Sequence, residues 1–173
     1  VGAFAISSQV GINEKELCKA LSTFKGIKRR FQVIVNSKKH IVIDDYAHHP
    51  NEINAVWNAL KDLFPYEKKC VIFQPHLYSR TRDFMNEFAE ALSQFNRVIL
   101  LPIYPAREIP IEGIESSVLQ RKIKSKNVVE LVTKKKLLSV INNSPEKVKV
   151  ILGAGDIGIE IEQIKKKLND YEI

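Results

Sequence analysis

Residues 41–53, IVIDDYAHHPNEI, place two carboxylates, a tyrosine and two histidines between a short apolar run and a helical pattern. Asp44, Asp45, Tyr46, His48 and His49 are the residue types that hold sugar hydroxyls, bind metal ions or move protons. A strand of Ile41, Val42 and Ile43 has no packing use for them. In an open parallel sheet ligands collect beyond the carboxyl ends of the strands, so groups crowded there read first as a site. As turn chemistry Asp, Pro and Asn are ordinary, and Asn51 could simply cap the following helix. Five polar or aromatic groups in six positions outweigh that reading.

A second polar exit is FQPHLYSRTRDF, residues 73–84, with Gln74, His76, Tyr78, Ser79, Arg80, Thr81 and Arg82 following another apolar run. Two guanidinium groups near a helix start offer planar donors to a carboxylate or phosphate. Arg82 is as readily paired with Asp83 or Glu87 on the surface. A third segment, ILGAGDIGIEI at 151–161, matches G-x-G-x-x-G literally between a strand and a helix. A dinucleotide fingerprint also needs a further strand and an acidic residue about 20 positions on, and neither follows here. The glycines therefore allow close backbone approach at the edge of a site, or only a tight turn with Asp156 capping the helix, the turn being favoured. The loop LPIYPAREIPIEGI, residues 101–114, has three prolines that suit a shaped rim and offers Tyr104, Arg107 and Glu108 for contact. No G-x-x-x-x-G-K-[ST] phosphate loop, nucleophile elbow or Cys/His zinc spacing occurs. These segments hold substrates better than they transform them.

Such tips need strands beneath them. A small apolar start leads through a Gly11 break to a helix opening at Asn13, with Glu14 and Glu16 in its first turn and Leu17, Leu21 and Phe24 on one face. After Gly26 the cluster Lys28, Arg29, Arg30 enters a strand at 31–36, and a polar turn at Ser37 and Lys38 returns the chain as a strand at 40–44. Helices over 51–63, 81–94, 116–123, 134–141 and 157–168 then alternate with strands over 70–74, 97–101, 128–131 and 149–152. Continuously apolar strands between amphipathic helices indicate an α/β fold: a doubly wound, mostly parallel sheet with one antiparallel edge strand.

At 173 residues and 45% hydrophobic, the chain suffices for one ordinary domain and a fragment of another. No run approaches the roughly 18 to 20 apolar residues of a membrane span, and the start lacks a signal-peptide pattern, so a soluble, cytoplasmic protein is expected. Cys18 and Cys70 read as reduced core thiols. The net charge of +7 and pI near 9.4 favour anionic partners. Lys134, Lys135, Lys136 and Lys165, Lys166, Lys167 read as solvated helix faces, and no basic–aromatic interleaving points to nucleic acid.

IVIDDYAHHPNEI, FQPHLYSRTRDF, the YPAREIPIEGI loop and ILGAGDIG, in that order and spacing, resemble the C-terminal domain of the Mur ligases. Within that family the likeness is greatest to the branch that joins L-alanine to UDP-N-acetylmuramate, and FKGIKRRF resembles its linker into the domain. The resemblance covers nearly the whole chain. It implies a Rossmann-like C-terminal domain at 26–173, preceded at 1–25 by the final strand and helix of a central ATPase domain. It further implies an ATP-dependent, amide-bond-forming ligase of cytoplasmic peptidoglycan synthesis, serving the cell wall, cell shape and division, and inactive as this fragment alone. Its partners would be UDP-N-acetylmuramate, L-alanine, ATP and its own N-terminal and central domains, with neither nucleic acid nor membrane. ATP phosphorylates the muramoyl carboxylate and the alanine amine attacks the acyl phosphate; Mg2+ is held mainly by the central domain. The matching motif positions imply that Arg30 and Asp45 contact the ATP ribose, with Tyr46 beside the adenine and near the substrate. They imply that His48, His76 and Arg80 face the amino acid and the reacting carboxylate as catalytic and substrate-binding groups, while His49 holds the loop through a hydrogen bond. Leu77 stands where the family pattern PHRYSRT has arginine, shifting that task to Arg80 or a neighbour, and Ala47 replaces a frequent glycine.

Three other readings remain open from sequence. A murein-tripeptide recycling ligase shares a similar DD-aromatic-AHHP exit. A metal-dependent phosphoesterase would use Asp44, Asp45, His48 and His49 as ligands. A stand-alone nucleotide-binding module would bind without catalysis.

Overall fold

The computed structural model describes residues 2–124 and 128–169; the expected domain limits at 1 and 173 lie outside the described residues. Six strands form one sheet: β1 (Gln32–Asn36), β2 (Ile41–Asp45), β3 (Lys69–Phe73), β4 (Arg97–Leu100), β5 (Val129–Leu131) and β6 (Val148–Leu152). Their order is β1-β2-β6-β3-β4-β5. Only β1 runs antiparallel, pairing with β2 through the turn where the Ser37 N–H donates to the His40 carbonyl at 2.8 Å. The remaining pairs are parallel, so the doubly wound sheet with an antiparallel edge is observed. β6, the last of the six in sequence, lies at the centre, with Leu152 level with Asp45 on one side and Phe73 on the other.

Every residue of β2, β3 and β6 is buried, as continuous apolar runs require when helices cover both faces. Alternation divides the core. Ile43, Val71, Phe73, Val98 and Leu100 meet α3 (Pro50–Leu63), α5 (Met85–Leu92) and α6 (Ser116–Lys122). Val42, Cys70, Ile72, Ile99 and Leu101 meet α7 (Lys134–Asn143) and α8 (Ile157–Asn169). α3 turns Ile53, Val56 and Leu60 inward at helical spacing, each worth about 1.5–3 kcal/mol of burial.

Two expectations change. The helix expected over 81–94 is two helices, α4 (Tyr78–Asp83) and α5, broken at Phe84, whose φ of −114° and ψ of 24° leave the helical region. The Phe84 ring lies 4.6 Å from that of His49, edge to face, which ties the break to the β2–α3 corner. The start of the chain is helical, not a strand followed by a helix. α1 (Gly2–Gln9) and α2 (Glu14–Thr23) bury no side chain, and residues 2–9 satisfy their backbone groups within the helix instead of on a sheet. Cys18, expected in a core, is exposed on α2; Cys70 is buried.

Candidate functional site at the carboxyl edge of the sheet

The exits of β2 and β3 are separated by β6, yet their side chains meet. Tyr46 and His48 have ring centroids 5.3 Å apart, His48 and His76 6.0 Å, and His76 and Tyr104 5.6 Å. Arg80, on α4, places Nη1 3.2 Å from His76 Nδ1. All five are partly exposed, forming a continuous row along one rim. The three proposed catalytic groups, His48, His76 and Arg80, are therefore neighbours drawn from two strand exits.

Backbone chemistry sets the first half of the row. Asp45 Oδ2 accepts the Phe31 N–H and Oδ1 accepts the Ala47 N–H, both at 2.7 Å, which fixes the turn out of β2. Asp44 is fully buried and is met by Arg29 Nε at 3.2 Å. Burial pushes the Asp44 carboxyl up, and the Arg29 guanidinium offsets only part of that shift. Arg29 was not singled out by sequence reasoning, although it stands beside Arg30 in KRRF. Its Nη2 donates to the Gly153 carbonyl, its guanidinium lies 5.2 Å from the Tyr46 ring centroid, and its carbonyl accepts the Tyr46 N–H at 2.8 Å. A Cβ at Gly158 would come within 2.7 Å of Arg29 Nη1, so that glycine makes room for the guanidinium. Arg30 is exposed, with its guanidinium 5.4 Å from the same ring.

His49 caps α3: its Nδ1 accepts the Asn51 N–H at 3.4 Å, so Asn51 is not the cap. Glu52 completes a capping box by accepting the backbone N–H groups of His48 at 2.8 Å and His49 at 3.1 Å. Burial works to raise the Glu52 carboxyl, but these donors prevail and hold it below the usual range.

The hydrogen bonds also set the two histidine tautomers. His48 Nδ1 lies 2.9 Å from the Tyr46 carbonyl, which can only accept, so Nδ1 carries the proton and the neutral ring keeps its lone pair at Nε2. Arginine can only donate, so His76 Nδ1 accepts from Arg80 and its proton sits at Nε2. Burial, then the positive charge of Arg80, holds the His76 pKa below the usual histidine range. One ring therefore presents an acceptor and its neighbour a donor.

The remaining segments frame the row. Gln74 Nε2 donates to Asp156 at 2.7 Å and its Oε1 accepts the Ile157 N–H at 2.9 Å, so Gln74, not Asp156, caps α8. Asp156 also pairs with Lys134; burial alone would raise its carboxyl, but Lys134 and Gln74 hold it low. A Cβ at Gly155 would lie 2.6 Å from Gln74 Oε1 and 2.7 Å from Tyr104 Cγ. The glycines thus serve close approach, beyond a turn alone. Arg82 pairs with Asp83 at 2.7 Å on the surface, and Arg107 is exposed, so Arg80 alone of the three turns to the histidines. A cleft of about 450 Å3 beside Tyr104 is lined by Gln74, Lys134 and Asp156.

The half-exposed Tyr46 ring beside Arg30 fits the edge of a base and sugar, and each Asp45 oxygen retains acceptor capacity for a hydroxyl. The residues suit a nucleotide. They do not suit a metal: Asp44, Asp45, His48 and His49 each serve a different partner, and among the described residues no three His, Cys, Asp or Glu side chains gather as ligands. The phosphoesterase arrangement is not formed.

Residues 29–156 match the family described as Mur ligase, glutamate ligase domain. The chain is 50% identical over 168 residues to the UDP-N-acetylmuramate–L-alanine ligase of Flavobacterium psychrophilum, and 48% identical over 168 residues to that of Christiangramia forsetii. Each alignment covers 97% of the chain and 37% of the relative, so the chain spans little more than a third of the curated proteins it matches. Among solved structures, the UDP-N-acetylmuramate-alanine ligase of Thermotoga maritima superposes with a TM-score of 0.76 at 28% identity, covering 98% of this chain and 36% of that one.

Proposed function

The chain belongs to the Mur ligase family, in its glutamate ligase domain, and on that premise we propose that it is the closing domain of an ATP-dependent ligase that joins L-alanine to UDP-N-acetylmuramate in peptidoglycan synthesis. The observation that carries this reading is the junction of His48 with His76 and Arg80 across the two strand exits. Residues 26–173 form this domain in our reading, and 1–25 belong to the domain before it. The match beginning at 29 and the exposed apolar side chains of Ile6, Val10, Leu21, Phe24 and Ile27 support that division.

Amide formation on an activated carboxylate needs an amine freed of its proton, an oriented carboxylate and compensation for phosphoryl charge. ATP, when bound, supplies the phosphoryl group that activates the carboxylate. Tyr46 and Arg30 hold the base and sugar edge, with Asp45 receiving a ribose hydroxyl. Arg80 and the Nε2–H of His76 face the carboxylate oxygens. His48 Nε2 receives the proton that the amine loses. The domain contributes half of a closed site; Mg2+ and the phosphate grip belong to the rest of the protein, which acts in the cytoplasm in this reading.

The test uses the full-length protein. ATP-dependent phosphate release should require both UDP-N-acetylmuramate and L-alanine, and efficient coupling of a murein tripeptide in place of alanine would reject the assignment.

A further inference from the structure

The four described non-glycine residues with positive φ, Arg29 (58°), Phe31 (45°), Leu77 (72°) and Ala106 (51°), all lie in segments that border the candidate site. Left-handed backbone outside glycine persists where surrounding contacts impose it, and it concentrates at working sites. Two of the four flank one contact. Leu77 immediately precedes α4, and Ala106 lies in the loop between β4 and α6, within a turn closed by the Glu108 N–H donating to the Pro105 carbonyl at 2.9 Å. That turn returns the Glu108 side chain to α4. Its Oε2 accepts the Ser79 N–H at 2.9 Å, and its Oε1 accepts the Ser79 hydroxyl at 2.5 Å. Two backbone bonds reinforce the junction: Leu77 N–H to the Tyr104 carbonyl at 2.9 Å, and Tyr104 N–H to the Pro75 carbonyl at 2.8 Å.

We propose that Glu108 is a positioning residue, whose carboxylate clamps the first turn of α4 through Ser79 so that Arg80 is delivered to His76 Nδ1 and the His76 proton is kept on Nε2. The structure supplies the sequence of contacts. Helix α4 has no side-chain cap at Leu77, so Glu108 fills the place of a capping acceptor from another segment. Arg80 lies one residue beyond Ser79 and reaches both the His76 ring nitrogen at 3.2 Å and the His76 carbonyl at 3.5 Å. The charged and titratable groups facing His76 are Arg80, His48 and Glu108 itself. Without the carboxylate, α4 loses its anchor, the guanidinium leaves Nδ1, and the imidazole is free to take up a proton there.

The deciding measurement is nitrogen NMR of the His76 ring in this 173-residue chain, for the parent, Glu108→Gln and Ser79→Ala. In the parent, the neutral ring should be the Nε2–H tautomer, titrating below an ordinary histidine. Both variants should give mixed tautomers, with thermal midpoints within a few degrees of the parent. Ser79→Ala, which keeps the Glu108 charge, should shift the His76 titration upward, and Glu108→Gln should shift it less, because the lost carboxylate itself favours a charged His76. Glu108→Asp should restore part of the parent signature. Unchanged His76 tautomer and titration in both Glu108→Gln and Ser79→Ala would overturn the proposal, as would loss of the fold in both.

A kinetic arm rests on the ligase reading above. In the full-length protein, Glu108→Gln should lower kcat/KM for the amine substrate about tenfold, since small misplacements of oriented groups cost one to two orders of magnitude, and leave KM for ATP unchanged. If the NMR signature moves but no ligase activity exists in the parent, the clamp stands and the ligase reading falls.

Discussion

The two edges of this sheet carry charged clusters of similar size and opposite character. At the carboxyl edge, Tyr46, His48, His76 and Arg80 are partly exposed and meet through rings and one guanidinium–imidazole bond. At the amino edge, Lys149 is fully buried on β6, with Nζ 3.0 Å from His40 Nδ1 and bonded to the Glu146 carbonyl. Glu146 accepts from Arg97 at 3.0 Å and from the Ser144 hydroxyl at 2.6 Å, and Arg97 also pairs with Glu130. Cys70 nearby is pushed up to about 12 by burial, which keeps its thiol protonated and inert. Both edges hold perturbed titrating groups, but the amino-edge charges are spent on one another, Arg97 on Glu130 and Glu146, while the histidines of the carboxyl edge are partly exposed. A shifted pKa marks a constrained environment; access to a reacting molecule decides whether that environment can act.

The contrast can be broken from either side, and the largest effect should come from the carboxyl edge. Arg80→Ala in the full-length protein should reduce turnover roughly 10²–10³-fold, the scale for removing one oriented charge-stabilising donor, while the thermal midpoint stays within a few degrees. A collapse of the fold instead would mean that the row is structural. Glu146→Ala should do the reverse: a loss of about 3 kcal/mol in urea unfolding, because Arg97 is left with one of its two carboxylate partners inside a buried network, and no change in substrate KM. A smaller effect should appear with pH. Burial lowers the Lys149 pKa, so the unfolded chain binds that proton more tightly than the native one does. Unfolding free energy should therefore rise with pH between the lowered native pKa and the ordinary lysine value of 10.5. Lys149→Met should flatten that slope. Smallest of all, Arg82→Ala should alter neither turnover nor stability measurably, since its partner Asp83 is exposed with it.

Much of this architecture was legible because it is periodic. Apolar runs at 70–74 and 149–152 could only be strands covered on both faces, and Ile53, Val56 and Leu60 could only be one helix face. The row of tips was legible from density at strand exits. What escaped was set by contacts between distant segments. The break at Phe84 depends on a histidine 35 positions earlier, and the cap of α8 depends on Gln74, 83 positions before Ile157. Arg29 escaped for a similar reason. Nothing local distinguishes it from Arg30, and only the fold shows which of the two faces Asp44 and Gly153. The strand expected at the start of the chain came from the family resemblance alone, since an apolar, small-residue segment has no period that separates strand from helix, and the segment is helical.

The position of β6 between β2 and β3 has a consequence for assembly. During synthesis the two histidines of the β2 exit and the one that follows β3 are made first, yet the strand that sets their spacing is the last of the six to be made. Until Val148–Leu152 inserts, β2 and β3 share no ladder, and the growing polypeptide carries two open hydrogen-bonding edges toward each other. Insertion of a central strand from so far along the sequence is a non-local closure, slow by its loop entropy. A ribosome-stalled series in which Val148–Leu152 is held inside or carried clear of the exit tunnel should therefore show protease protection arriving in one late step.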